Sequence, residues 1–129
     1  MRAKDAVGRY GEQVAVAHLE RAGMEVVARN WRAPSSPGGV RGELDVVARE
    51  GGTLVAVEVK TRRCGADGLP GAGHPFEAVT PAKAARVRRL LVAFADATGE
   101  RAAALRVDAV AVLRPARGAA RVEHLRGVA

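Results

Sequence analysis

A chain of 129 residues, 48% hydrophobic and 27% charged, has the make-up of one soluble globular domain, spanning residues 1–129, that can bury a core of its own. It has no apolar run of membrane-spanning length and no apolar signal-peptide core near its start, so the expectation is a cytoplasmic protein with no membrane partner. A net charge of +7 and a pI near 10.9 point to a polyanionic partner, while Cys64, standing alone, excludes an intramolecular disulfide and a cysteine metal cluster.

The bland account of the basic balance is coding bias, because arginine outnumbers lysine and alanine, glycine and valine abound. Only a clustered positive surface separates the two accounts. Tyr10, Trp31, Phe76 and Phe94 are the whole aromatic set, which argues against a single-strand binder built on stacking platforms.

In chain order, a helix is expected from Asp5 to Ala22, with Asp5 as N-cap and Gly23 as the stop. Gly8 and Gly11 each cost its interior roughly 1 kcal/mol against alanine, which suggests that something approaches the backbone there. Glu12 shares a face with Ala15, Val16 and Leu19, an unusual place for a carboxylate unless it sits at the stripe's edge and reaches solvent. His18 has no partner at metal-ligand spacing and receives no role. Met24 to Trp31 reads as a strand that ends in a basic, amide-rich corner of Arg29, Asn30 and Arg32, and Ala33 to Arg41 has loop composition.

The next stretch, Glu43 to Lys60, is two β-branched runs around Gly51-Gly52, the pattern of a tight hairpin. If Glu50 and Thr53 flank the turn, Ala48 faces Val55, Asp45 faces Glu58 and Glu43 faces Lys60. Leu44, Val46, Ala48, Val55, Val57 and Val59 then form one apolar face, and Glu43, Asp45, Glu58 and Lys60 gather on the other, away from the turn. Opposed carboxylates about 5 Å apart repel by about 3 kcal/mol at an effective dielectric near 20. A divalent cation or a proton would relieve them, so two acids followed by a lysine suggest a metal-assisted phosphodiester site. The alternative is a solvated hairpin face with Lys60 paired to Glu43 or Glu58.

A second Gly/Pro-rich loop runs from Cys64 to Val79, with His74 expected to be solvated. Both loops should flank the acidic end of the sheet. Thr80-Pro81 opens a helix that Gly99 closes, with Ala84, Val87, Leu91, Phe94 and Ala95 on its buried face. Lys83, Arg86 and Arg89 mark a flank that either tracks phosphates or is simply solvated. Arg106 to Leu113 reads as a buried strand, Pro115 to Ala119 as a turn and Arg121 to Leu125 as an edge strand.

This order, with Gly11-Glu12, Arg29-Asn30, Gly42-Glu43-Leu44-Asp45, Val57-Glu58-Val59-Lys60-Thr61-Arg62 and Arg106-Val107-Asp108, resembles the PD-(D/E)xK nuclease superfamily. Within it, the chain is similar to the small YraN-like bacterial family, related to archaeal Holliday junction resolvases. The resemblance implies an α/β fold with a restriction-endonuclease-like core, order α-β-β-β-α-β(-β), and a mixed central sheet flanked by helices. It implies Mg²⁺ or Mn²⁺ held by Asp45 and Glu58 with the Val59 carbonyl, and Lys60 as the residue that activates water and stabilises developing phosphate charge. Glu12 would complete the site as a ligand or as a base behind the ligands. Asp108 matches a family position without an assigned task. The Asp45 position lacks the superfamily's proline, and the loop from Ala33 to Arg41 is longer than the family's usual join.

The activity so implied is metal-dependent endonucleolytic hydrolysis of phosphodiester bonds in DNA, with duplex, branched or damaged DNA as partner. Arg29, Asn30, Arg32, Arg41, Arg62, Lys83, Arg86 and Arg89 are the expected nucleic-acid contacts, and a twofold substrate would suit a homodimer. The rival reading is a non-catalytic nucleic-acid binding module with the same fold and basic surface.

Overall fold

Thr80 and Pro81 start a helix because the threonine hydroxyl accepts the Lys83 N–H at 3.2 Å and proline needs no donor there, and Gly99 ends it in a left-handed conformation at φ 76°. Local signals of this kind set most elements of the computed structural model, which describes residues 3–35 and 37–129, with side chains from residue 6 onward. The chain runs α1 (Ala3–Arg21), β1 (Glu25–Arg32), β2 (Glu43–Glu50), β3 (Thr53–Arg63), a 3-10 turn (Pro75–Ala78), α2 (Pro81–Thr98), β4 (Ala104–Arg114) and β5 (Arg121–Leu125). The helix α1 is already under way at Ala3, so Asp5 lies inside it and does not cap it.

The strands form one sheet in the order β1-β2-β3-β4-β5. The β3–β4 pair is parallel, with α2 in the crossover, and the other pairs are antiparallel. This is the expected mixed α/β sheet between helices. On one face Ala15 and Leu19 of α1 pack on Val46, Ala48, Val55, Val57, Val110 and Val112. On the other, Val87, Leu90, Leu91 and Phe94 of α2 cover Leu44, Val47, Leu54, Ala56 and Val107. Each central strand is covered on both sides, so its two alternating residue sets are both apolar. The buried face of α2 includes Leu90, which the sequence reading left out, while Ala95 is only partly buried.

The hairpin keeps its expected register from Glu50↔Thr53 to Val46↔Val57 and stops there. Two expectations are corrected beyond that point. Leu44 packs under α2 although Val46 packs under α1, so β2 exchanges its faces across Asp45 and the single apolar face does not hold. The facing of Asp45 with Glu58 and of Glu43 with Lys60 on a continuous ladder fails for the same reason. By the alternation of antiparallel hydrogen bonds, the Val59 N–H would next donate to Leu44. It donates instead to Asp45 Oδ2 at 2.9 Å. Opposite, on β1, Asn30 takes a left-handed φ of 52°, and Arg29↔Val46 and Trp31↔Leu44 pair on either side of it.

Candidate functional site

The opening between β2 and β3 is where the acids meet. Asp45 enters it from the face switch, and Val59, Lys60, Thr61 and Arg62 follow along β3. The helix α1 supplies Val7, Gly8 and Glu12 to the same cleft, of about 450 Å³. Gly11 is what allows the helix so close: a Cβ there would run into the Thr61 side chain. Gly8 meets nothing within 4 Å, so its smallness leaves cleft space and makes no close contact.

Electrostatics distinguish the three carboxylates. Burial, then Glu58, push the Asp45 carboxyl up to about 7; the Val59 N–H works against them, Glu12 adds to the rise and Lys60 opposes it. Burial also raises Glu12, against a hydrogen bond from Asn30 and the charge of Arg29. Glu12 Oε1 is buried with no hydrogen-bond partner, a costly state for a carboxylate oxygen. Glu58 lies on the α2 side of β3, 3.4 Å from Lys60 Nζ, and the two line a smaller cleft with Lys83, Arg86, Ala84 and Val87. Lys60 borders both clefts and so links the acids of one face to those of the other.

The expected residues Glu12, Asp45, Val59 and Lys60 are therefore brought together, with Glu58 next to Lys60. Among the described residues, no three His, Cys, Asp or Glu side chains are gathered into a group that could hold a metal ion by itself. Glu43 is drawn off by Arg32 at 3.0 Å. Of the expected nucleic-acid contacts, Arg29 and Asn30 surround Glu12, Arg62 lines the larger cleft, and Lys83 and Arg86 line the smaller one. Arg41 lines a separate hollow with Arg32 in the loop before β2. Arg89 is exposed on α2 and lines neither acid-bearing cleft.

Sequence reasoning missed a polar network on the α1 face. Asp108 is fully buried and accepts from Arg106 Nε at 2.8 Å, His124 Nε2 at 2.8 Å and the Gly127 N–H at 2.9 Å. His124 Nδ1 meets His18 Nε2 at 3.0 Å, and Arg106 and Arg126 converge on Glu50. Burial alone would raise the Asp108 carboxyl, but these hydrogen bonds hold it below the ordinary range. His18, given no role from sequence, is lowered by burial and by His124. His74, expected to be solvated, accepts the Phe76 N–H at 3.1 Å and contacts Glu123. Only the period-two spacing of Val122 and His124 on an edge strand hinted that His124 would turn inward.

Residues 11–112 match the model of the uncharacterised protein family UPF0102. The chain belongs to this family. It is 57% identical over 128 residues to a UPF0102 protein of Beutenbergia cavernae, covering 99% of each chain. It is 52% identical over 136 residues to one of Kineococcus radiotolerans, covering 99% of this chain and 97% of the relative. A UPF0102 protein of an Arthrobacter species is 50% identical over 128 residues, with 99% of each chain covered. The UPF0102 match encloses Glu12, Asp45, Glu58, Lys60 and Asp108, and ends before Arg114.

Proposed function

We propose that this UPF0102 protein is a divalent-cation-dependent endonuclease of the PD-(D/E)xK type, acting on duplex or branched DNA in the cytoplasm. The observation that carries the reading is the joint placement of Asp45, Glu12 and Lys60 around one cleft, with Asp45 pushed up to about 7 and Glu12 Oε1 left without a partner. Buried carboxylates that raise one another's proton affinity, with an oxygen in want of a donor, fit a cation better than they fit a solvated surface. Asp45 and Glu58 would hold Mg²⁺ or Mn²⁺, helped by the Val59 carbonyl and by Glu12. Such an ion polarises a phosphoryl oxygen and makes water more acidic.

The chain's own residues supply the rest. Lys60 bridges the two clefts and can hold water for in-line attack and offset charge growing on the phosphate. If Glu12 stands behind the ligands and does not bind the ion itself, its raised proton affinity lets it take the proton released by that water. Arg62 lines the same cleft and can hold the scissile phosphate in place. The binding-module reading draws on the Lys60–Glu58 pair at 3.4 Å, which satisfies both groups without an ion.

Thermal unfolding with and without Mg²⁺ or Mn²⁺ tests the cation site. The ion should raise the unfolding midpoint of the parent and leave Glu58→Ala unmoved. Equal midpoints for the parent with and without the ion would remove the cation site and favour the binding module.

A further inference from the structure

Where β3 leaves the acid-lined cleft, the parallel register sets Arg63 directly beside Arg114 of β4. Like charges on adjacent strand positions repel. Neither guanidinium is ion-paired with a carboxylate among the described residues. Both lie on the α1 side, because strand alternation carries Val59 to Arg63 and Val112 to Arg114 on one face. There the Arg114 guanidinium lies over the Tyr10 ring, 4.5 Å from its centre, a contact that uses none of its N–H donors.

The two arginines line a cleft of about 370 Å³ with Cys64, Pro115 and Ala116. Arg63 also lines the 450 Å³ cleft of Glu12, Asp45 and Lys60, so the two hollows share a wall. We propose that Arg63 and Arg114 form a second phosphate subsite, which holds a backbone phosphate of the nucleic-acid strand next to the one at the acid-lined cleft. An anion seated between two planar, five-donor guanidinium groups offsets their repulsion and takes paired hydrogen bonds. The shared wall favours a phosphate of the same strand over an unrelated anion. This inference rests on the nucleic-acid reading above.

The test is duplex DNA affinity against salt, without divalent cation, for the parent, Arg63→Gln, Arg63→Gln/Arg114→Gln and Arg63→Lys/Arg114→Lys. Loss of the one phosphate contact lowers the slope of log Kd on log salt by about 0.9, so the double glutamine variant should lose about 1 from the slope, and the lysine pair should keep most of it. Between 50 and 200 mM salt that is about three- to fourfold less weakening. Arg63→Gln alone, at an exposed position, should lose part of that slope and carries the test if the Arg114 change unseats Tyr10. A steep parent slope that the glutamine changes leave intact would overturn the subsite and leave the nucleic-acid reading standing. A parent with no salt-dependent binding would overturn both.

Discussion

Asp45 carries the tension between stability and chemistry in this protein. Its folded-state carboxyl holds a proton up to about pH 7, far above an ordinary aspartate, so the folded chain binds that proton more tightly than the unfolded one. The stability so contributed is fully present below about pH 4 and is lost as the pH rises through about 7. Asp45→Asn should therefore match the parent near pH 4 and exceed it at pH 8 in urea unfolding, while losing any response to Mg²⁺. A variant less stable than the parent at pH 8 would contradict this account of the carboxyl. Gly11 and Gly8 make a second pair of expectations. Gly11→Ala should cost about 1–3 kcal/mol through collision with Thr61, and Thr61→Ala in the same chain should recover part of it. Gly8→Ala, with open space around it, should be neutral or stabilise by up to about 1 kcal/mol. Glu12 was legible as out of place because its neighbours Ala15 and Leu19 are fully buried. Its pairing with Asn30 was not, because a left-handed asparagine in a strand leaves no periodic signal.

At the scale of elements, α2 and β5 were readable because their signals are local: a Thr-Pro start, a glycine stop and an alternating strand. The hairpin was readable as far as the turn dictates, to Val46↔Val57. Its splay was not, since the exchange of faces at Asp45 depends on α1 and α2 drawing Val46 and Leu44 to opposite sides. The His18–His124–Asp108 network was hidden for a similar reason, joining α1, β4 and β5 across 106 residues at its widest pair. It ties the chain's end to the sheet through Gly127 and the Val107–Val128 and Val107–Ala129 backbone bonds. Asp108→Asn should cost about 1.5–3 kcal/mol in chemical unfolding, because the donors on Arg106, His124 and Gly127 would lose a buried carboxylate although Arg106 keeps Glu50. The pH response has the opposite sign to that of Asp45. The Asp108 carboxyl is depressed, so its contribution is present above the ordinary aspartate range and is lost as the pH falls through its folded-state value.

At the scale of the whole molecule, several of the basic residues behind the charge of +7 line the clefts. Arg29 and Asn30 border Glu12, Arg62 and Arg63 line its cleft, Arg114 extends it, and Lys83 and Arg86 flank Glu58 on the far face. Basic residues beside the acid-lined clefts support the proposed polyanionic partner, which composition alone left level with coding bias. In the proposed function, arginine and lysine hold the polyanion's backbone while one linkage is brought to the carboxylates. The family match spans the acids and Lys60 but names no chemistry, so the reading rests on this arrangement. The most direct measurement is cleavage of labelled linear and branched DNA in Mg²⁺ or Mn²⁺ by the parent beside Lys60→Ala, with both shown to be folded. The parent should cut at least one substrate and Lys60→Ala should cut none, although its unfolding midpoint still rises with the ion. Cleavage shared by both proteins, or by neither, would contradict a metal-dependent nuclease centred on Asp45, Glu58 and Lys60.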